Sequence, residues 1–277
     1  MNARERWNQI IEILTDAGFI DVEDAAVRLG VSAATVRRDL DRLAQQQLIT
    51  RTRGGAVSNS TAYDLPLRYN AERNVPQKVQ IAEAASSRVA MGSVVAITGG
   101  TTTTEVARHL AMRADLHGAT TSPALTIVTN AINIANELTV RATLQLVVVG
   151  GVVRSQSYEL IGRLATLILD EISIDEAILG GNALDLVTGL TCHNESEAAI
   201  AAEIARRANR VTVVLDSTKL GNRALARACA TKHIDTLITD AGADPDFVAE
   251  LTARGIEVVI ASSTSRSSAK SPVVNED

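Results

Sequence analysis

Residues Val31–Arg53 read VSAATVRRDLDRLAQQQLITRTR, and no other stretch so narrows what this chain can be. Ser32 can offer its hydroxyl to the unpaired amides of a first helical turn. Behind it Val36, Leu40 and Leu43 recur at helical spacing, so they share a face that packs inward. The opposite face carries Thr35, Arg38, Asp41 and Arg42, with Arg37 on the flank. Two adjacent arginines near the start of a capped, half-apolar helix suit a helix that lies against phosphates with its first turn near base edges. The run reads as the recognition helix of a DNA-binding module.

The residues before and after it complete that module. Arg4 to Ala17 places Trp7, Ile10, Ile11 and Leu14 on one stripe, and Gly18 ends the helix. Asp21 caps a second short helix, Val22 to Leu29, and Gly30 allows the tight turn into Ser32. Helix, short helix, glycine turn and basic helix is the helix-turn-helix order. Beyond it Leu48 to Val57 alternates and contains paired glycines, which suits a β-hairpin wing whose Arg51 and Arg53 reach a DNA backbone or minor groove. Ser32, Thr35, Arg37, Arg38, Arg42, Arg51 and Arg53 are therefore the candidate DNA contacts.

A net charge of −5 looks wrong for such a partner until its distribution is followed. Residues 1–57 hold eight arginines, no lysine and eight acids, a sum of zero. Between Arg37 and Arg53 five arginines face only Asp39 and Asp41, a local +3. A basic face on a neutral module is the electrostatic footprint that matters, and the negative excess falls after residue 57.

The run LGVSAATVRRDLDRLAQQQLITRTRGGA, with Glu5-Arg6 and the apolar stripe upstream, closely resembles the amino-terminal signature of the DeoR family of bacterial transcriptional regulators. Members often carry a histidine before the double glycine, where this chain has Arg53. The resemblance covers residues 4–57 and implies a winged helix-turn-helix that binds double-stranded DNA.

At 277 residues the chain has room for about two domains at roughly 150 residues each. The boundaries read as a DNA-binding domain over 1–57, a polar linker over 58–77, a sensing domain over 78–262, and a disordered, serine-rich tail over 263–277. Aromatic residues are only 2% of the chain, so the core must be built from Ala, Val, Leu and Ile, the palette of α/β proteins. An Ala-rich helix is expected from Lys78 to about Ala90. Strands are expected at Val94–Thr98, Thr126–Thr129, Leu144–Val149, Ala177–Leu179, Val211–Leu215, Thr236–Thr239 and Glu257–Ile260. Helices separate most of them: one from Glu105, then Ala131–Leu138, Arg163–Glu171, Glu195–Ala208 and Asp246–Arg254. Apolar strands alternating with helices predict a doubly wound, mostly parallel α/β domain. Asp115 to Ala124 reads as a loop insertion.

In such sheets ligands bind at the carboxyl ends of the strands. Small polar clusters sit at those places here. Gly99-Gly100-Thr101-Thr102-Thr103-Thr104 follows the first strand and opens a helix, and it reads as a phosphate cradle. Thr129-Asn130 ends the second strand, Gly150-Gly151 the third with Arg154 close behind, and Gly180-Gly181-Asn182 the fourth. Asp216-Ser217-Thr218-Lys219 ends the fifth, where Lys219 supplies a point charge for a phosphate. The candidate effector contacts are Gly100, Thr101, Thr102, Thr103, Asn130, Arg154, Asn182 and Lys219.

This half also resembles the DeoR-family sensor domain over most of residues 77–241, in the runs GGTTTTEVARHL, IVTNAINIANEL, LVVVGGVVR, GLTCHNESEAAI and DSTKLG. That resemblance implies a fold of the ribose-5-phosphate isomerase type and a phosphorylated sugar or related intermediate as effector. Where many members have an Asp after the fourth strand, this chain has Asn182.

The rival reading is a sugar-phosphate isomerase or deaminase with an appended DNA-binding module. Acid–base chemistry on a sugar needs positioned carboxylates, and Gly180-Gly181-Asn182-Ala183 supplies none, although Glu195 and Glu197 lie further on. The reading is therefore a regulator with no catalytic residues and no cofactor, a repressor of sugar-metabolism genes that works as a homodimer or homotetramer. Cys192-His193 lacks the further spaced ligands of a zinc site, so no metal is expected. No apolar run approaches the roughly 20 residues of a membrane span, and MNARERWNQI lacks a signal peptide's apolar core. Two cysteines make no disulfide framework, and the expected location is the cytoplasm, away from any membrane.

Overall fold

The computed structural model describes residues 2–45, 48–58, 67, 71, 73–117 and 123–262. Helix α1 (Ala3–Ala17) starts one residue before the expected Arg4 because Asn2 closes a capping box. The Asn2 side chain accepts the Glu5 amide at 2.9 Å while the Glu5 carboxylate takes the Asn2 amide at 2.8 Å. Gly18 ends it in the left-handed region at φ 75°. Asp21 caps α2 (Val22–Leu29) through the amides of Glu23 and Asp24, and Ser32 caps α3 (Ala33–Gln45) by accepting the Thr35 amide at 3.2 Å. Ile10, Leu14, Ala25, Val36, Leu40 and Leu43 are buried together as the core of this module.

The hairpin expected after α3 forms as β2 (Ile49–Arg51) and β3 (Gly55–Ser58). A third strand, β1 (Phe19–Asp21), pairs with the other edge of β3 and was not foreseen. Two residues between a helix C-cap and the next N-cap, with the N-cap Asp21 itself, carry no period of their own; the pairing to β3 makes them a strand. That pairing also fixes Gly55, since a Cβ there would stand 1.8 Å from the Ile20 carbonyl oxygen.

The second half is built on seven parallel strands. They are β4 (Val94–Ile97), β5 (Leu125–Thr129), β6 (Leu144–Val148), β9 (Ile174–Leu179), β12 (Ala208–Val214), β14 (Thr236–Asp240) and β15 (Glu257–Ala261). Their order across the sheet is β15-β14-β12-β9-β4-β5-β6, every neighbouring pair parallel. Successive residues feed opposite faces: Val95 and Ile97 enter one core and Ala96 the other, and Ile178 is split in the same way from Ala177 and Leu179. Helices α4 (Val75–Arg88), α5 (Thr101–Ala111), α6 (Ala114–His117) and α7 (Ile132–Leu138) cover one face through Ile81, Leu110, Leu116 and Ile134. Helices α8 (Arg163–Leu167), α9 (Glu195–Arg207) and α10 (Pro245–Ala253) cover the other through Ala165, Ile204 and Leu251. The fold is the expected doubly wound α/β arrangement.

Several boundaries differ from the expectation. α4 begins at Val75, not Lys78, because Pro76 pre-sets the first turn. α5 begins at Thr101 and not Glu105, so the threonine run is the helix's first turn and not a loop. α9 stops at Arg207 and the chain passes directly into β12. α6 opens the segment expected as an insertion loop; residues 118–122, the tail beyond 262 and most of the linker lie outside the described residues. Two small antiparallel units were missed. One is the hairpin β7 (Val152–Arg154) and β8 (Glu159–Ile161); the other is the sheet of β10 (Ala183–Asp185), β11 (Gly189–Cys192) and β13 (Ala226–Cys229). Strands of three or four residues are held by their partners and leave little trace in the sequence.

Candidate DNA interface and ligand cavity

On α3, Val36, Leu40 and Leu43 face the core, while Ala34, Arg37, Arg38, Asp41 and Arg42 are exposed and Thr35 is half-buried. Asp39, next to Arg38, points the other way and is 2% exposed. It accepts two bonds from Arg6, from Nε at 2.6 Å and from Nη2 at 3.1 Å, and a third from Trp7 Nε1 at 2.7 Å. The bond to Asp39 raises the Arg6 pKa above its ordinary value. This buried clamp sets the angle of α3 on α1 and removes Asp39 from the outer charge balance. The local excess of positive charge is therefore larger at the surface than the sequence count suggests.

The candidate DNA contacts fall into two groups. Arg38, Arg42 and Arg53 are exposed and form no ion pair with a described residue. Arg37 pairs with Glu23 of α2 at 3.0 Å, and Arg51 pairs with Asp41 of α3 at 2.9 Å while also donating to the Gly55 carbonyl. Ser32 and Thr35 share a hydroxyl contact at 2.9 Å. The wing arginines thus divide: Arg53 stands exposed at the hairpin tip, and Arg51 folds back onto the recognition helix.

The sheet of the second half runs outward in both directions from β4, to β5 and β6 on one side and to β9, β12, β14 and β15 on the other. The reversal lies between β4 and β9, and there the turns leave a crevice at the strand ends. A cavity of about 270 Å³ occupies it. Thr98, Gly99, Gly100 and Thr101 line it from the β4–α5 turn, Gly180, Gly181 and Asn182 from the end of β9, and Asp216, Thr218 and Lys219 from the end of β12. Arg73, Asn74 and Lys78 enter from α4 and its approach, Ser157 and Glu159 from the β7–β8 hairpin, and Cys192, His193 and Glu197 from β11 and α9.

One side of this cavity is cationic. Lys78 is 3% exposed, and burial together with the charge of Lys219 pushes it down to about 8. Lys219 Nζ donates to the Gly181 carbonyl at 2.8 Å and lies 3.9 Å from Asp216; burial lowers its pKa too. Asn74, held at a left-handed φ of 50°, donates to Asp216 at 3.0 Å. Two lysines brought together out of bulk water, beside the amino terminus of the eleven-residue α5, make a place where an anion relieves mutual repulsion.

The other side is acidic. Glu159 is 5% exposed; its Oε1 accepts the Gly99 amide at 3.1 Å and Asn130 Nδ2 at 3.1 Å. Burial, reinforced by the charge of Glu197, pushes Glu159 up to about 7. Gly99 is required by this contact, since a Cβ would meet Glu159 Cγ at 2.4 Å. Burial holds the Cys192 thiol up at about 12 and pushes the His193 imidazole below its ordinary value, so both are neutral at physiological pH.

Of the expected effector residues, Gly100, Thr101, Asn182 and Lys219 line the cavity. Thr102, Thr103, Asn130 and Arg154 do not. Thr102 and Thr103 are buried in the first turn of α5, Thr103 donating back to Gly100 at 3.1 Å. Asn130 is fully buried and holds Glu159 and Gly99 together. Arg154 stands behind Glu197, its Nε 3.5 Å from Oε1. Lys78 and Glu159 were missed. Lys78 shares the buried stripe of Ile81, Ala82 and Ala85, and a lysine on an apolar helical stripe was a signal available in the sequence. Glu159 belongs to a three-residue strand and gave none. Among the described residues no group of three His, Cys, Asp or Glu could hold a metal ion, and no helix is long and apolar enough to cross a membrane.

Two family models match the chain. Residues 6–62 match the DeoR-like helix-turn-helix domain and residues 73–241 the DeoR C terminal sensor domain. The HTH-type transcriptional regulator GlpR of Haloferax volcanii is 35% identical over 92% of this chain and 96% of its own. The glycerol-3-phosphate regulon repressor of Escherichia coli (strain K12) is 29% identical over 93% of this chain and 99% of its own. Among solved structures, a ribose 5-phosphate isomerase from Methanocaldococcus jannaschii aligns at a TM-score of 0.39 and 20% identity, over 53% of this chain and 55% of that one.

Proposed function

Because the chain belongs to the DeoR family of transcriptional regulators, we propose that it represses genes of sugar metabolism and that a phosphorylated sugar or related intermediate controls its grip on DNA. The observation that carries this reading is the pair Lys78 and Lys219 facing the amino terminus of α5 at the reversal of the sheet. A phosphate monoester seated there is attracted by both lysine charges and accepts from the first amides of α5. Gly100, Thr101, Asn182 and Lys219 make direct contacts, while Asn130 and Arg154 act through Glu159 and Glu197. The effector moves the DNA equilibrium only by as much as its affinity differs between two arrangements of the sensor.

On the DNA, Arg38, Arg42 and Arg53 take phosphates directly, with Arg37 and Arg51 exchanging Glu23 and Asp41 for the duplex. Ser32 and Thr35 bring the start of α3 to base edges. A homodimer or homotetramer reads repeated half-sites, and the site of action is the cytoplasm, where operator and metabolite meet. The relatives are named transcriptional regulators, and catalysis forms no part of the proposal. A gel-shift on the DNA upstream of the protein's own coding sequence, run across a panel of sugar phosphates, tests it. A retarded band whose midpoint moves with one phosphorylated compound is expected. Conversion of that compound by the purified protein, with no effect on DNA binding, would favour the enzyme.

A further inference from the structure

The cavity is electrically divided, and its acidic side bears on which phosphate compounds it takes; the inference rests on the reading of Lys78 and Lys219 as the anion end. Across from them stand Glu159 of β8 and Glu197 in the first turn of α9. Glu159 has spent Oε1 on Gly99 and Asn130. Glu197 Oε1 is buried, lies 3.5 Å from Arg154 Nε, and accepts no hydrogen bond from the described residues.

Other charged and titratable groups reach the pair from several elements. Arg154, from β7, pairs with Glu197 from behind and offsets one of the two carboxylates, but it does not line the space, so the pair keeps a negative charge when both are ionised. Cys192 and His193, at the end of β11, are neutral at physiological pH. Lys219 stands with Lys78 at the anion end, beside Asp216. The charge left facing an occupant on this side is that of the two carboxylates, which take hydroxyl donors and, when both are ionised, repel a second anion.

We propose that Glu159 and Glu197 form a selectivity wall that reads the end of the effector remote from its phosphate, admitting hydroxyl-bearing ends and rejecting carboxylates. The effector class is thereby phosphorylated polyols and sugars, and phosphorylated sugar acids are excluded although they carry the same phosphate.

Matched pairs test this. Glucitol 6-phosphate and 6-phosphogluconate differ only in a terminal CH2OH against COO−, as do glycerol 3-phosphate and 3-phosphoglycerate. Calorimetric titration of the full chain at pH 8 should show the alcohol of at least one pair binding about a hundredfold tighter than its acid, since juxtaposed like charges disfavour the acid. Glu197→Gln should narrow that ratio, and Glu159→Gln with Glu197→Gln should bring it to within about threefold.

In the wild type the ratio should also shrink from pH 8 to pH 6, as Glu159 takes up a proton; the phosphate and Lys78, which gains charge over the same interval, act alike on both members. Equal binding of alcohol and acid, or a ratio unmoved by both pH and the double substitution, overturns the wall. Inorganic phosphate separates the two claims. If it binds without discrimination among the esters, only the wall is wrong. If neither it nor any ester binds, the anion end fails and the wall with it.

Discussion

Both halves of the molecule set arginine or lysine beside carboxylates, yet they do so in opposite solvents. On the face proposed for DNA the pairs Arg37–Glu23 and Arg51–Asp41 are exposed, with half or more of the Glu23 and Asp41 side chains in water. Pairs of that kind contribute about 0–1 kcal/mol and are screened by salt. They can be exchanged for phosphates at little cost. In the cavity Lys78, Glu159 and Asp216 are buried, and each missing partner is felt in full. In the proposed function the surface swaps partners and the cavity chooses one. The Asp39–Arg6–Trp7 clamp is the exception on the DNA side: its charges are buried and serve to aim α3.

If that contrast is right, substitutions in buried charge clusters should have large effects and those on the outer face small ones. Lys219→Met should weaken the effector roughly a hundredfold while leaving DNA binding unchanged, because it removes a charge from a desolvated site. Asp39→Ala should destabilise the amino-terminal domain by about 3–5 kcal/mol, leaving Arg6 uncompensated, as denaturant unfolding would report. Arg38→Ala should weaken operator binding about equally across sequences and lower the slope of log affinity against log salt by about 1.

Asp41→Asn should do least, raising affinity for unrelated duplex by no more than about fivefold through release of Arg51. An Asp41 effect as large as that of Lys219 would erase the distinction between the halves.

The pH dependence sharpens the buried side. Glu159 is raised from 4.5 to about 7, so the folded state binds more protons in that interval. Stability from this group is full below 4.5 and is lost as pH rises through 7. Glu159→Gln should flatten that fall in a series of thermal melts. Lys78, lowered to about 8 from 10.5, acts in a separate window: stability rises with pH between those values.

The recognition helix was legible because its information is local: a cap, an apolar stripe and two arginines within one short run. The sheet was legible for the same reason, since strands buried on both faces announce themselves as apolar runs. The cavity was only half legible. The strand-end rule located Gly100, Thr101, Asn182 and Lys219, which lie on the sheet's own turns. Glu159 comes from the β7–β8 hairpin and Lys78 from a helix packed on the face of the sheet, and only the tertiary fold brings them beside those turns. Asn130 and Arg154 show the converse: residues at strand ends can be buried behind the wall they support. The ion pairs of Arg37 and Arg51 were likewise hidden, because their partners lie on other elements.

The central claim is that an anion at Lys78 and Lys219 governs the DNA-binding face. Fluorescence anisotropy on a duplex from the protein's own upstream region, with the wild type and Lys219→Met titrated with and without the sugar phosphate active in the gel-shift, tests it directly. Equal DNA affinity for the two proteins alone, and an effector-dependent change in the wild type only, are expected. The same change in both proteins would contradict it.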